Sequence, residues 1–274
     1  MASGCGEQYG CCHGQRPIPT ELLEVIMPSW PYPLVFAHRL GGALAPENTL
    51  AGLQIAARLG VRAVECDVKL SADGEPFLLH DDTLPRTTNG SGPARALTLA
   101  QLRELDAGSR FHPAFAGEAL PLLEELATLC RGGDILANLE IKPCPGREAE
   151  TGRVVAEAAC RLWKGAGVPP LLSSFSVEAL QAAAATAPEL PRGLLCVSPP
   201  ADWRARLEAV GAVALHCHHA SLNLERVDTL RRAGYAVMAY TVNDVMEARL
   251  LQSWGVDMLC TDRPDRLGEL EGRC

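Results

Sequence analysis

The 274-residue chain has no cluster of lysine and arginine, and 33 acidic residues outnumber 25 basic ones, giving a formal net charge of −8 and a pI near 5.4. That balance argues against nucleic acid or an anionic membrane as a partner. No apolar stretch approaches the ~20 residues that a membrane-spanning helix requires. The N-terminus also lacks the continuous apolar segment of a signal peptide, because its stretch 22–27 is short and interrupted by Glu24. The eleven cysteines include no CxxC pair, and no Cys/His set has zinc spacing. Cys66, Cys196 and Cys260 sit in apolar runs, where a reduced thiol behaves as a small hydrophobe, so the expectation is a cytoplasmic protein with free thiols. Internal repeats and low-complexity linkers are missing as well, which leaves no sign of a second domain.

Residues 1–28 are rich in glycine and cysteine and read as a disordered leader. Cys5, Cys11, Cys12 and His13 could bind a soft metal there, although the leader carries no other sign of a site. Met27 could equally serve as a start. From residue 29 to 274, short apolar runs alternate with helical patterns. Strands are expected at 34–38, 63–68, 76–80, 135–141, 171–175, 193–197, 213–216, 236–242 and 258–261. Several are apolar at every position, as parallel strands covered on both faces should be. Helices are expected at 50–59, closed by Gly60, after the capping box at Thr98 and Gln101, at 122–130 opened by Pro121, at 177–186 capped by Ser176, and at 223–232 and 243–254. This alternation predicts a (β/α)8 TIM barrel. Segment 76–80 is the surplus strand, because Asp73-Gly74 leaves room only for a hairpin. A two-residue loop there would set His80 opposite Asp67. Residues 83–118 are long and irregular and read as a small lobe inserted over one barrel end.

Chemistry concentrates at the strand ends. Glu65 and Asp67 stand one residue apart, as do Glu140 and Lys142, so each pair leaves its strand on one face. His38-Arg39 ends the first strand and His80-Asp81 the hairpin. Barrel active sites are built from such C-terminal ends. Three acids in apolar strands suggest a divalent cation or a catalytic site.

The run His38-Arg39-Leu40-Gly41-Gly42-Ala43-Leu44-Ala45-Pro46-Glu47-Asn48-Thr49 resembles the opening motif of the glycerophosphodiester phosphodiesterase family. Glu65-Cys66-Asp67-Val68, His80-Asp81, Asn138-Leu139-Glu140-Ile141-Lys142-Pro143, Ser173-Ser174-Phe175, Tyr240-Thr241-Val242-Asn243 and Thr261-Asp262 follow in that family's order. With Trp30-Pro31-Tyr32-Pro33 in front, the chain is most similar to the bacterial cytosolic members. The resemblance implies metal-dependent hydrolysis of glycerophosphodiesters, such as glycerophosphocholine or glycerophosphoethanolamine, to sn-glycerol 3-phosphate and an alcohol. It implies that Glu65, Asp67 and Glu140 hold one Mg2+ or Ca2+, that His38 and His80 act as general acid and base, and that Arg39 and Lys142 hold the phosphate. Glu47 is expected to brace Arg39 or His38, Phe175 and Tyr240 to wall the glycerol site, and His216 to lie at the same barrel end. The nucleophile is either the neighbouring glycerol hydroxyl or water, and a homo-oligomer is compatible with the sequence. A lysophospholipase D-type activity would want an apolar rim, whereas 83–118 is mostly small or polar. A silent binding barrel would lack a histidine or an acid, and all five are present. One departure stands out: Leu40 occupies a position where the family has glycine. A φ above zero there would strain Leu40 unless Gly41 and Gly42 absorb the turn.

Overall fold

The computed structural model describes Met1 and residues 30–271. Apart from Met1, the leader and its four candidate soft-metal ligands lie outside the described residues. Nine strands occur among the described residues: β1 (Val35–Ala37), β2 (Ala63–Leu70), β3 (Pro76–Leu78), β4 (Leu136–Ile141), β5 (Leu171–Ser174), β6 (Arg192–Cys196), β7 (Ala214–His218), β8 (Ala236–Tyr240) and β9 (Met258–Thr261). All but β3 are parallel, in the order β1-β9-β8-β7-β6-β5-β4-β2, and pairing of β1 with β2 closes the ring. The helices are α1 (Leu50–Arg58), α2 (Leu99–Arg103), α3 (Leu123–Gly132), α4 (Glu148–Leu162), α5 (Val177–Thr186), α6 (Trp203–Ala209), α7 (Leu224–Arg232), α8 (Val245–Ser253) and α9 (Pro264–Leu267). The architecture is a (β/α)8 barrel with β3 as an antiparallel appendage to β2.

The closed barrel explains why β2 is buried along its whole length. Val64, Cys66 and Val68 point outward beneath the helices and belong to the main core. Inward positions split by height. Phe36, Ala63, Leu171, Ala214, Met238 and Met258 fill the floor, with Tyr32 packed beneath them. The polar inward residues Glu65, Asp67 and Glu140 come next, towards the strand C-termini. An apolar plug thus closes the barrel below a polar mouth.

Several details depart from the sequence expectations. The hairpin pairs Val68 with Leu78, Lys69 with Phe77 and Leu70 with Pro76. Asp67 therefore faces Leu79, whose amide donates to its carbonyl at 3.1 Å, and not His80. The loop is one residue longer than expected because Gly74, at φ 84, takes the left-handed corner of a wider turn. α4, the longest helix, carries no side-chain cap at Arg147 and has Gly152 in its second turn, so its sequence signals are weak. The glycine is needed for packing, since a Cβ there would meet the Ala179 carbonyl oxygen at 2.1 Å, across the contact with α5. α6 likewise starts at Asp202 without a side-chain cap. Pro121 lies just before the N-cap of α3, and α8 starts at Val245 behind the cap Asp244, two residues later than expected. Between β3 and α3, Phe77, Leu79, Leu84, Ala94 and Leu102 build a small core of their own beside the barrel mouth.

The glycines after Leu40 do not absorb the turn. Leu40 itself stands at φ 75 and Arg39 at φ 49. Gly42, at φ 59, has its own constraint, because a Cβ would meet the Asp262 carbonyl oxygen at 2.4 Å. The Leu40 side chain is wholly buried in the main core. Left-handed backbone costs an L-residue about 1–2 kcal/mol, whereas losing a buried leucine costs about 2–5 kcal/mol, so burial wins. Urea melts of Leu40→Gly should therefore show a net loss of about 1–3 kcal/mol. A variant at least as stable as the parent would mean that backbone strain matches or exceeds the burial at this corner.

Candidate active site

Adjacent strands set the carboxylates side by side. β2 and β4 run in register with Glu65 beside Asn138 and Asp67 beside Glu140, so their inward side chains converge. Oxygen atoms of Glu65, Asp67 and Glu140 lie within 4.8 Å of one another, and all three residues are buried. Lys142, one step past β4, reaches back with its Nζ 2.9 Å from Glu140 Oε1 and 3.2 Å from Asp67 Oδ1. Arg39 Nε lies 3.6 Å from Asp67 Oδ2 on the other side.

The loop after β1 is built onto this cluster. Glu65 accepts the Arg39 amide on Oε2 at 3.0 Å, and its carbonyl accepts the Leu40 amide at 2.9 Å. Asn48 stands at φ 54, a conformation that asparagine tolerates, and makes two bonds to Asp67: Nδ2 donates to Oδ2 at 2.9 Å, and Oδ1 accepts the amide at 3.1 Å. His38 pairs its Nδ1 with Asp262 Oδ1 at 2.6 Å and holds Nε2 3.9 Å from Glu65 Oε2. Asn243 steadies Asp262 through Nδ2 and Oδ1. His80 pairs its Nδ1 with Asp81 Oδ1 at 2.7 Å. Glu47 accepts from Arg39 Nη1 at 3.0 Å, so it braces Arg39 and not His38.

Charge is unevenly tolerated. Burial, reinforced by Asp67, pushes Glu140 up to about 8, with Lys142 pulling the other way. Burial and Asp67 likewise raise Glu65. Burial acts on Asp67 too, but Lys142, His80 and Arg39 outweigh it and hold the group below its usual value. Burial opposes a charged His38, yet the hydrogen bond to Asp262 and the charge of Glu65 raise it overall. Burial, with Lys142 and Arg39, keeps His80 below its usual value despite Asp67 and Asp81.

A cavity of about 260 Å3 lies over the acids, between His38 and His80 and against Phe175, His216 and Tyr240. Phe175 and Tyr240 meet edge to face at 6.1 Å, and Lys142 Nζ sits 5.9 Å from the Phe175 ring centre. Tyr240 donates its hydroxyl to the Cys196 carbonyl at 2.9 Å. His216 is fully buried, and burial lowers its imidazole to about 3. Neither of its ring nitrogens has a hydrogen-bond partner among the described residues. Gly193 makes room for the ring, since a Cβ there would meet His216 Nε2 at 2.4 Å. The geometry thus collects all eleven candidate residues at one mouth, with Glu47 at the rim. Asp262, Asn48 and Asn243 were not singled out individually from the sequence, although each lies in a quoted motif. Arg86, which contacts Glu47 and Asp81, had no such signal.

The donor set suits a divalent cation. Three buried carboxylates offer only hard oxygen ligands, and a positive ion at their centre would relieve their mutual repulsion. Buried Asn138 Oδ1 and Ser173 Oγ, beside Glu65 and Glu140 in register, also lack partners among the described residues.

Parallel strands that deliver acids, imidazoles and fixed cations to one barrel mouth define a barrel enzyme. Residues 38–266 match the Glycerophosphoryl diester phosphodiesterase family, and the chain belongs to that family. It is therefore a phosphoric diester hydrolase. A glycerophosphodiester phosphodiesterase of Caldanaerobacter subterraneus is 34% identical over 242 residues, 85% of this chain and 96% of the relative. One from Bacillus subtilis is 31% identical over 255 residues, covering 85% and 84%. A phosphodiesterase of Oleispira antarctica, solved with its product sn-glycerol-3-phosphate, superposes with a TM-score of 0.82 at 39% identity, covering 86% of this chain and 96% of that one.

Metal-stripped protein should gain thermal stability on titration with Mg2+ or Ca2+, by about 2.7 kcal/mol at a hundredfold excess over Kd. Glu140→Gln should stay folded and lose most of that gain. An equal gain in both proteins, read by calorimetry, would remove Glu140 from the ligand set.

Proposed function

We propose that this enzyme hydrolyses glycerophosphodiesters, such as glycerophosphocholine or glycerophosphoethanolamine, to sn-glycerol 3-phosphate and an alcohol. The observation that carries the reading is the cavity itself: three clustered carboxylates, two cations and two histidines surround a space of about 260 Å3. The relatives' names and the product complex of the Oleispira enzyme support it.

Glu65, Asp67 and Glu140 would hold one Mg2+ or Ca2+, which supplies charge neutralisation at the phosphate oxygens. Arg39 and Lys142 hold the remaining phosphate charge, which otherwise repels a nucleophile. Of His38 and His80, one takes the proton from the attacking oxygen and the other returns one to the leaving alkoxide. Their Nδ1 atoms are engaged by Asp262 and Asp81, so Nε2 is the atom each presents to a substrate. His216 lies fully buried behind the cavity wall. Phe175 with Tyr240 covers the glycerol carbon chain. The catalytic domain runs from residue 29 to 274, with a leader at 1–28 and an insertion at about 83–118. The free cysteines support a reducing compartment, the cytoplasm.

A coupled assay for glycerol 3-phosphate released from glycerophosphocholine tests the reading directly. Activity should require Mg2+ or Ca2+ and vanish in EDTA, and EDTA-resistant turnover would overturn the metal assignment. His38→Ala and His80→Ala should each lower kcat by about a hundredfold or more while sparing metal affinity. Near-normal kcat in either variant would overturn its acid–base role. Phosphorus NMR separates the two routes, because only attack by the glycerol hydroxyl passes through a cyclic phosphate.

A further inference from the structure

Arg86 has no part in the acid–base or phosphate roles above, yet its guanidinium joins the two halves of the mouth. It donates from Nε and Nη2 to Asp81, at 2.6 and 2.9 Å, and from Nη1 and Nη2 to Glu47, at 2.7 and 2.6 Å. Each carboxylate then passes the contact inward. Asp81 Oδ1 pairs with His80 Nδ1 at 2.7 Å, and Glu47 Oε1 accepts Arg39 Nη1 at 3.0 Å. One planar fork thus bridges the loop after β1 and the start of the β3–α3 connection, and it does so from the edge of the lobe that this connection builds.

The lobe gives that segment a firm base. Leu84 and Thr88 flank Arg86 and are fully buried, and Thr88 donates both its amide and its hydroxyl to the Leu84 carbonyl, at 3.1 and 2.8 Å. Leu84 belongs to the lobe's small apolar core. The guanidinium projects from this anchored turn while its side chain remains nearly half exposed. Exposed ion pairs add little to stability. Two bidentate contacts, in contrast, fix the planes of both carboxylates, which a point charge cannot do.

We propose that Arg86 is a positioning residue for the phosphodiesterase reaction, holding the His80 imidazole through Asp81 and the Arg39 guanidinium through Glu47, and that the inserted lobe serves to present it. The proposal rests on the roles given above to His80 and Arg39. Arg86 touches neither substrate nor metal in this account. Its effect falls on the geometry of the reacting groups, where a displacement near 1 Å costs on the order of a hundredfold in rate.

The test compares Arg86→Ala and Arg86→Lys with the parent, using glycerophosphocholine and the chromogenic diester bis(4-nitrophenyl) phosphate. Turnover of only the chromogenic diester by the parent would overturn the glycerol reading and still allow the Arg86 comparison. Arg86→Ala is expected to lower kcat by about tenfold or more, with KM and melting temperature changed little. Arg86→Lys should fail to restore kcat, whereas added guanidinium ion should partly restore it in Arg86→Ala. Combined with Asp81→Asn, the alanine variant should lose less than the product of the two single effects. A kcat within about twofold of the parent, full recovery with lysine, or strictly multiplicative losses in the double variant would each overturn the proposal.

Discussion

Everything at this barrel mouth depends on keeping three carboxylates together in a buried space. Glu65, Asp67 and Glu140 repel one another, and burial strips away the water that would moderate the repulsion. Lys142 and Arg39 offset part of this from opposite sides of Asp67. That unequal relief leaves Asp67 readily ionised while Glu140 is pushed up to about 8. Such a cluster makes physical sense as the seat of a hard cation, and Arg39 and Lys142 line the same cavity as the acids.

The same carboxylates organise the backbone around them. Glu65 accepts the amides of Arg39 and Leu40, one on its side chain and one on its carbonyl, and this holds the turn that carries His38 and Arg39. Asn48 fastens the far end of that loop to Asp67. The strained backbone at Leu40 is tolerated because its side chain is buried in the main core. Below, large apolar side chains block the barrel floor, so polar groups gather only at the strand C-termini.

The barrel class was readable because strands covered on both faces lose the alternation of a half-exposed sheet. β8, apolar from Ala236 through Ala239 and buried at each of those positions, is the clear example. Capping residues such as Ser176 and Thr98 marked helix starts well, because a side chain accepting an amide two or three residues on is a local interaction. α4 and α6, which lack that device, escaped. α4 opens without a side-chain cap and keeps Gly152 for the sake of α5, a reason that lies in another part of the chain.

The spacing of Glu65 with Asp67 and of Glu140 with Lys142 determined by itself that each pair shares a face, since strand geometry is local. The types of the residues determined the chemistry they can offer. Which pair stands beside which was decided by the β2–β4 register, and whether Asp67 faces His80 by a hairpin one residue wider than its turn motif suggested. The partners of the histidines, Asp262 and Asp81, and the shared grip of Arg86 were decided only when loops from three strands and the lobe met at one rim. The His38–Asp262 and Arg86–Glu47 contacts join residues far apart in the chain, and no local rule of spacing or propensity encodes them.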